Sequence, residues 1–563
     1  MPKKKAEPLN ETIRVFALGG LDEDGKNLTC IEIDGDIYIL ECGIKFPDSR
    51  ELLGIEYIVQ DFTYLVEHQD SIKGIIITHG HDDIMGALPY LLKQIHADIY
   101  TSPLAARVIQ RKLKQENITG SKIHVVKRTY VKKIGGRKVH FFPVTHAYPG
   151  AFGVSIASSY GHIVYAGEFI EDYRNLDDSY RGDFSTIAQL GREGVFILMA
   201  ESKGSDRLGH TSSHHLLSPA FSELLANHER ERVFISVYTQ SVYRIQEIIA
   251  TCIEYGRKMV FYTEELRELI SDLEAVYGYS VPKDMVVDIN DFDNEMRNVV
   301  VIISGQGQSL FKLMSNIANN EAEDIDFDQD DLIVIASQVV PGVEREFKSM
   351  ENDIYKEEGQ IVVLDKDVWS MHASREDLKM ILFLAKPKYY IPIKGEYRRL
   401  FMNCEIALDM GMKPSNIILL DNGQVAGFKN GVLSSCAMEL ELHDILIDGK
   451  ENWDMAGVVL KDREILSTDG VIILAIGIDS KTKKIINGPD IQTRGLVYLK
   501  DAEYITSDVA KILETSIDEA VKNHTYDNLA VRTEVREKVS KYLLRTTAKR
   551  PMVLPVILEI NTD

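Results

Sequence analysis

The stretch Ile75-Ile76-Ile77-Thr78-His79-Gly80-His81-Asp82-Asp83 runs an apolar segment into a loop carrying two histidines and two aspartates, and the next residue is Ile84. A short run of isoleucines reads as a buried strand. The histidines fall on the loop at its end, two positions apart, so both imidazoles can face one metal ion. Asp83 supplies a further oxygen ligand or a proton acceptor. From Asp83 to Gln94 apolar residues recur at helical spacing, with Pro89 near the first turns, which predicts a helix after the loop.

Outward from this unit, residues 13–46 alternate apolar and polar positions between tight turns, a strand meander through Arg14–Leu18, Leu28–Ile33 and Ile37–Leu40. Further strands are expected at Lys138–Val144, Gly153–Ala157, Ile163–Ala166 and Gly194–Met199. His146 follows the first of these in Val144-Thr-His-Ala-Tyr-Pro149, and Glu168 stands at the end of another in Val164-Tyr-Ala-Gly-Glu-Phe169. Three imidazoles with a carboxylate suit zinc, or manganese. Any one of these histidines alone reads as structural or solvated. Their order after successive strands favours a metal site on loops at the edge of an α/β sandwich.

Other histidines carry less weight. His210, His214 and His215 lie in Gly209-His-Thr-Ser-Ser-His-His215, at an expected helix start, and read as capping or surface residues rather than a second metal site. His372, in Trp369-Ser-Met-His-Ala-Ser-Arg-Glu376, is a stronger candidate. A helix follows it, and small neighbours allow a phosphate to approach that helix's N-terminal amides.

The chain has 563 residues, too many for one core at ~100–200 residues per domain, so three or four units are expected. No apolar run is long enough to span a bilayer. The basic start Met1-Pro-Lys-Lys-Lys-Ala-Glu-Pro8 is not followed by an apolar segment and reads as a flexible leader, not a secretory signal. Cys30, Cys42, Cys252, Cys404 and Cys436 are scattered, with no C-x-x-C pair, which fits a reducing cytoplasm better than a disulfide framework. The net charge of −22 argues against a polyanionic partner in general, though not against a local basic channel. The basic groups Arg107, Arg111, Lys112, Lys114 and Lys122, Lys127, Arg128, Lys132, Lys133 read first as solvated faces, and the acidic stretch Glu321–Asp331 as an exposed loop.

Between residues 212 and 365 strands and helices alternate: Arg232–Tyr238, helical Ser241–Glu254, Lys258–Tyr262, helical Glu264–Val276, Val299–Ser304 and Leu332–Ser337. That pattern predicts a separate domain with a parallel sheet. Gly359–Leu364, helical Glu376–Ala385 and Tyr389–Ile393 read as the first domain resuming, with its second part assigned to 366–447 and its first to 1–211. A last domain, 454–563, follows the polar stretch Asp448–Trp453 and places strands Val471–Ile478 and Val553–Leu558 around the helix Ile505–Asn523.

Seven strings in order make the resemblance specific: Phe16-Ala-Leu-Gly-Gly20 with Gly25-Lys-Asn27, Cys42-Gly-Ile-Lys-Phe-Pro47, Thr78-His-Gly-His81, Val242-Tyr-Arg-Ile-Gln246, Ser370–Glu376, Ile391-Pro-Ile-Lys-Gly-Glu-Tyr397 and Arg550-Pro-Met-Val-Leu-Pro-Val556. The chain resembles the bacterial ribonuclease J family, in the β-CASP branch of the metallo-β-lactamase superfamily, over essentially its whole length. The resemblance implies an αββα metallo-β-lactamase sandwich split by an inserted β-CASP α/β domain, and a small α+β C-terminal domain that assists oligomerisation. It implies single-stranded RNA as substrate, with Ser370, His372 and Ser374 holding its 5′-phosphate and His372 moving a proton to the leaving oxygen.

The departures matter as much. In the family's active pattern one metal is held at the positions of His79, His81 and His146, the other at Asp83, 84 and 394, with 168 bridging. Here 84 is Ile, 394 is Lys, 168 is Glu and 41 is Glu, and Ala147–Ala151 replaces the usual loop. The second site has lost both imidazoles. This resembles the type 2 paralogue, the weak or inactive partner of a type 1 enzyme. Lys394 is expected to stand in for the second ion by pairing with Asp83 or Glu168, leaving at most one bound ion per chain. Two functions follow: a low-activity 5′-to-3′ exonuclease and endonuclease in rRNA and mRNA processing and decay, with Asp83 and His372 catalytic, or a non-catalytic RNA-binding subunit that tunes a type 1 partner. A homo- or hetero-oligomer, dimer or tetramer, and a multi-enzyme RNA-degrading assembly are the implied settings.

Overall fold

The isoleucine run becomes the strand Ile72–Ile77, an interior member of an eight-stranded sheet whose order is Val432–Glu439, Gln424–Lys429, Thr12–Gly19, Leu28–Ile33, Asp36–Leu40, Ile72–Ile77, Ile99–Thr101, Ile123–Val125. The computed structural model describes residues 10–47, 55–174, 176–340, 342–364, 368–448, 451–453, 458–496 and 502–561; the basic leader and the boundary at 454 lie outside them. A second sheet, of six strands, runs Tyr389–Ile393, Val195–Glu201, Gly161–Tyr165, Phe152–Ser158, Arg137–Pro143, Tyr130–Ile134. One fully buried apolar cluster joins the two sheets, with Ile31, Tyr38 and Ile76 from the first meeting Phe141, Ile156 and Ile197 from the second. Helices close both outer faces, Pro103–Gln115 on the first and Arg375–Ala385 on the second. This is the expected αββα sandwich.

The helix predicted from Asp83 to Gln94 is instead two short helices, Asp82–Met85 and Leu88–Leu92. The amide of Ala87 is taken by the Cys42 carbonyl at 2.9 Å, and Pro89 has no amide to give, so the hydrogen-bond ladder breaks between them. Ile84 lies in the first of these helices and faces inward. Its side chain is fully buried among Cys42, Ile44 and Met85.

The inserted domain is a six-stranded sheet, Val286–Val287, Lys258–Phe261, Val299–Gly305, Val233–Tyr238, Leu332–Ile335, Gln360–Val363, parallel at every pairing. Its central strands are apolar on both faces, as a sheet covered by helices on both sides requires. Gln360–Val363 pairs with Leu332–Ile335, so this strand belongs to the insertion and the first domain resumes only after it. Pattern alone cannot assign a single four-residue strand to one of two sheets. The helix Gly307–Ala318 goes beyond the elements expected from the sequence.

The acidic stretch is not wholly exposed. Asp331 is buried, and its two oxygens take Nε and Nη2 of buried Arg232 at 2.8 and 2.6 Å. The first basic group is likewise more than a solvated face: Arg107 and Arg111 pair with Asp272 of the inserted domain, and Lys112 with Asp82.

The C-terminal unit places Val471–Asp479 between antiparallel Ile485–Arg494 and parallel Met552–Ile560, with the helices Ala502–Lys522 and Asn528–Thr547 on its core. The second helix and the strand Ile485–Arg494 were not among the expected elements.

Candidate metal centre

His79 and His81 from the end of Ile72–Ile77, His146 from beyond Arg137–Pro143 and Glu168 from beyond Gly161–Tyr165 converge, each offering a ligand atom within 4.8 Å of the others. The imidazole ring centroids stand 4.4 to 4.9 Å apart. His79 Nε2 and His146 Nε2 approach Glu168 Oε2 at 3.5 and 3.3 Å. His79 Nε2, His146 Nδ1 and Glu168 Oε2 are buried with no hydrogen-bond partner among the described residues. Orphaned buried polar atoms are costly unless something occupies the space between them. Three imidazoles and a carboxylate are a donor set that one divalent ion satisfies.

The surroundings keep the imidazoles in their ligating form. Burial, with His146 adding to it, pushes His79 down to about 3, and burial with the other two histidines puts His81 well below its usual value. Thr78 orients the first ligand: its hydroxyl lies 2.9 Å from His79 Nδ1 and donates to Glu41 Oε1 at 2.8 Å. Gly80 is needed here, because a Cβ would fall 2.3 Å from the Tyr148 ring that covers the histidines. Tyr148 lies in the rebuilt loop after His146, and the insertion clamps that loop. Tyr243 donates its amide to the Ala147 carbonyl at 2.9 Å, the Tyr277 hydroxyl donates to the Pro149 carbonyl at 3.1 Å, and the Gln240 carbonyl faces His81 Nε2 at 3.2 Å.

The other half of the site is filled by cations. Lys394, buried and in left-handed backbone at φ 57°, puts Nζ 3.4 Å from Glu168 Oε1 and 3.5 Å from Glu41 Oε1, over the Tyr165 ring. Burial alone would discharge it, but Glu168, Glu41 and Asp83 hold its pKa above the usual value. The sequence reading offered Asp83 or Glu168 as its partner; the structure selects Glu168. Asp83 is taken by a residue that reading missed, Lys203, whose Nζ lies 2.9 Å from Asp83 Oδ2, 3.2 Å from Asp24 Oδ1 and 3.4 Å from Glu168 Oε1. Burial would raise Glu168, yet the two ammonium groups, with the His146 and His79 imidazoles facing it, hold it well below the ordinary range. Burial lifts Glu41 to about 7 against the pull of Lys394.

His372 stands beside the cradle, its ring 6.0 Å from that of His146. Its Nδ1 pairs with Glu201 Oε2 at 2.8 Å, and Glu201 Oε1 accepts the amides of Ala373 and Phe169. A buried carboxylate fixed by two amides orients the imidazole and leaves the other ring nitrogen for substrate. Glu201 was not foreseen; its signal is a carboxylate at the last position of the strand Val195–Glu201.

Ser370 accepts from Arg207 Nη2 at 2.6 Å through its hydroxyl, which brings a guanidinium to this corner. Ser374 is fully buried instead: it caps the helix Arg375–Ala385 in a box with Asp377, and its hydroxyl meets that of Thr211 at 2.6 Å. Of the histidines read as capping or surface residues, His210 and His214 are exposed, and His215 and the expected helix start are what need correction. The next helix starts only at Ser218, His214 stacks on Trp369, and His215 is buried against Asp172 and Arg174.

Two stacked sheets, an imidazole cluster at their strand ends and a helix-covered parallel insertion define a metal-dependent hydrolase of metallo-β-lactamase type. Residues 21–214 match the model of the metallo-beta-lactamase superfamily, 230–354 that of the ribonuclease J beta-CASP domain, and 458–560 that of the ribonuclease J C-terminal domain. Ribonuclease J 2 of Staphylococcus epidermidis and Ribonuclease J 2 of Staphylococcus aureus are each 30% identical over 555 residues, spanning 98% of this chain and 99% of theirs. The chain therefore belongs to the ribonuclease J family, whose members are metal-dependent ribonucleases that process RNA. A crystal structure of a protein of unknown function from Enterococcus faecalis V583 shares the fold at TM-score 0.51 and 14% identity, covering 74% of this chain and all of that one. Among the described residues no helix is long and apolar enough to cross a membrane.

Proposed function

We propose that this chain is a weak 5′-to-3′ exonuclease and endonuclease on single-stranded RNA, working in rRNA processing and mRNA decay with one ion, zinc or manganese, in its cleft. The observation that carries this is asymmetry: His79, His81, His146 and Glu168 form an intact cradle, while Lys203 and Lys394 fill the position of a second ion. When bound, a divalent ion supplies Lewis acidity at the phosphoryl group and lowers the pKa of water. The two ammonium groups offset negative charge on Asp83, Glu41 and Glu168 without Lewis acidity. If a second ion is worth ~3–4 kcal/mol in the transition state, its loss slows cleavage roughly 100- to 1000-fold. His372, held by Glu201, gives its proton to the leaving oxygen. Arg207 with Ser370 and His372 receives the RNA 5′-phosphate. Domain limits of 1–211, 212–365, 366–447 and 454–563, a cytoplasmic site of action and oligomers with or without a type 1 paralogue belong to this reading.

A second reading, a non-catalytic RNA-binding subunit that stabilises a type 1 partner, is favoured by one observation: Asp83 Oδ2 is already engaged by Lys203 and Asn27. The test is cleavage of 5′-monophosphorylated RNA by the purified chain alone and by H79A/H81A. Slow cleavage abolished by the double substitution supports the enzyme. Cleavage unaffected by it is contamination and defeats the enzyme, and RNA binding without cleavage supports the second reading.

A further inference from the structure

A second set of ligating side chains converges on the far side of the His372 loop. Glu171, His210 and Asp377 each offer a ligand atom within 4.8 Å of the others. They come from three segments: the loop after the strand Gly161–Tyr165, the loop ahead of the insertion, and the first turn of the helix Arg375–Ala385. Glu171 is 1% exposed; its Oε2 accepts from the Tyr173 hydroxyl at 2.7 Å, but its Oε1 is buried with no hydrogen-bond partner among the described residues. Asp377 is fully buried, with Oδ2 accepting the amides of Thr211 and Ser374 and Oδ1 facing His210 Nδ1 at 3.0 Å. The His210 side chain is 43% exposed, which gives an ion a way in.

Charge sets this group apart from the cleft. There, Asp83 and Glu168 are matched by Lys203 and Lys394. Here, among the described residues, neither carboxylate has a lysine or arginine within ion-pairing distance, and the one basic partner is His210. Two buried carboxylates beside a single imidazole are unfavourable unless a cation joins them or a proton neutralises one. Burial, with Asp377 adding to it, lifts Glu171 to about 7, as expected of a buried carboxyl lacking a cation.

We propose that Glu171, His210 and Asp377 form a second divalent-cation site, separate from the cleft, that takes zinc or a similar ion. One imidazole and two carboxylates suit zinc or manganese better than calcium or magnesium, and water fills the remaining position from the His210 side. The ion ties three segments around the His372 loop: Asp377 holds the Ser374 and Thr211 amides, and the Thr211 hydroxyl donates to the His372 carbonyl at 2.6 Å. The site raises the total to two ions per chain, one more than the sequence reading allowed. It stands whether or not the chain cleaves RNA.

The test uses the full-length chain, stripped by chelation and re-equilibrated with zinc alone. The H79A/H81A chain, its cradle disabled, is expected to keep one zinc and to melt higher in zinc than in chelator. Adding E171Q or H210A to it is expected to abolish both the retained zinc and the shift. Glu171→Gln preserves shape and His210 is half-exposed, so circular dichroism of each variant in chelator identifies those that fold, and the folded ones decide. An H79A/H81A chain that retains no zinc, or folded triple variants that retain it, overturns the site.

Discussion

Lys203 and Asp83, 120 positions apart in the chain, meet with Nζ 2.9 Å from Oδ2. The pair adds a second ammonium group to that of Lys394 where the proposed function places a lost second ion, and it changes what restoration requires. Ile84→His and Lys394→His together rebuild two imidazoles but leave Lys203 on Asp83. The double variant is therefore expected to gain little activity on 5′-monophosphorylated RNA and no additional zinc in the cleft. Adding Lys203→Ala is expected to raise both. Elemental analysis and initial rates check this, and a double variant that already matches the triple refutes the role given to Lys203.

Lys394→Met should be costly to the fold. It leaves Glu168 and Glu41, both fully buried, short of an ammonium group, and removing one partner of a buried ion pair typically costs ~3–5 kcal/mol. Urea unfolding in the presence of chelator reads the loss without interference from bound metal.

Glu201→Gln tests whether His372 works as an oriented imidazole. Glu201 touches no ligand of the cradle by hydrogen bond, so the zinc content of the cleft is expected to hold while cleavage falls, by up to the roughly 100- to 10,000-fold that a positioned proton-transfer group contributes. Unchanged cleavage with intact zinc would remove Glu201 from the machinery.

In the inserted domain, Asp331→Ala strips Arg232 of a two-pronged carboxylate in a buried setting. A loss of ~3–5 kcal/mol in unfolding free energy is expected, without change in the zinc content of the cleft.

The legible part of this molecule was whatever follows directly from order along the chain. His79 and His81 were readable because they share the loop after one apolar run, and His146 and Glu168 because each follows a strand of its own, the strand ends of the two sheets meeting at one edge. Ile84 and Lys394 were readable as departures from a resembling pattern. Lys203 was not, because a lysine in Ser202-Lys203-Gly204 has no local mark. Only the parallel pairing of Val195–Glu201 with Tyr389–Ile393, which sets Glu201 opposite Ile393, brings residue 203 beside residue 394. Ser374 departs for another reason: the resemblance implied a phosphate contact for it, and the helix that follows takes it up as a cap. The break at Ala87 and Pro89 depended on a carbonyl at Cys42, which helical periodicity cannot register.

The clamp on the loop after His146 has a consequence for how the molecule is made. Gln240, Tyr243 and Tyr277 reach the metal loops from the insertion, and Lys394 arrives from beyond it. The first 211 residues include every ligand of the cradle and Tyr148 over it, but not the clamp from the insertion or Lys394. The cradle's ligands are thus translated before the insertion residues and the lysine that pack against them.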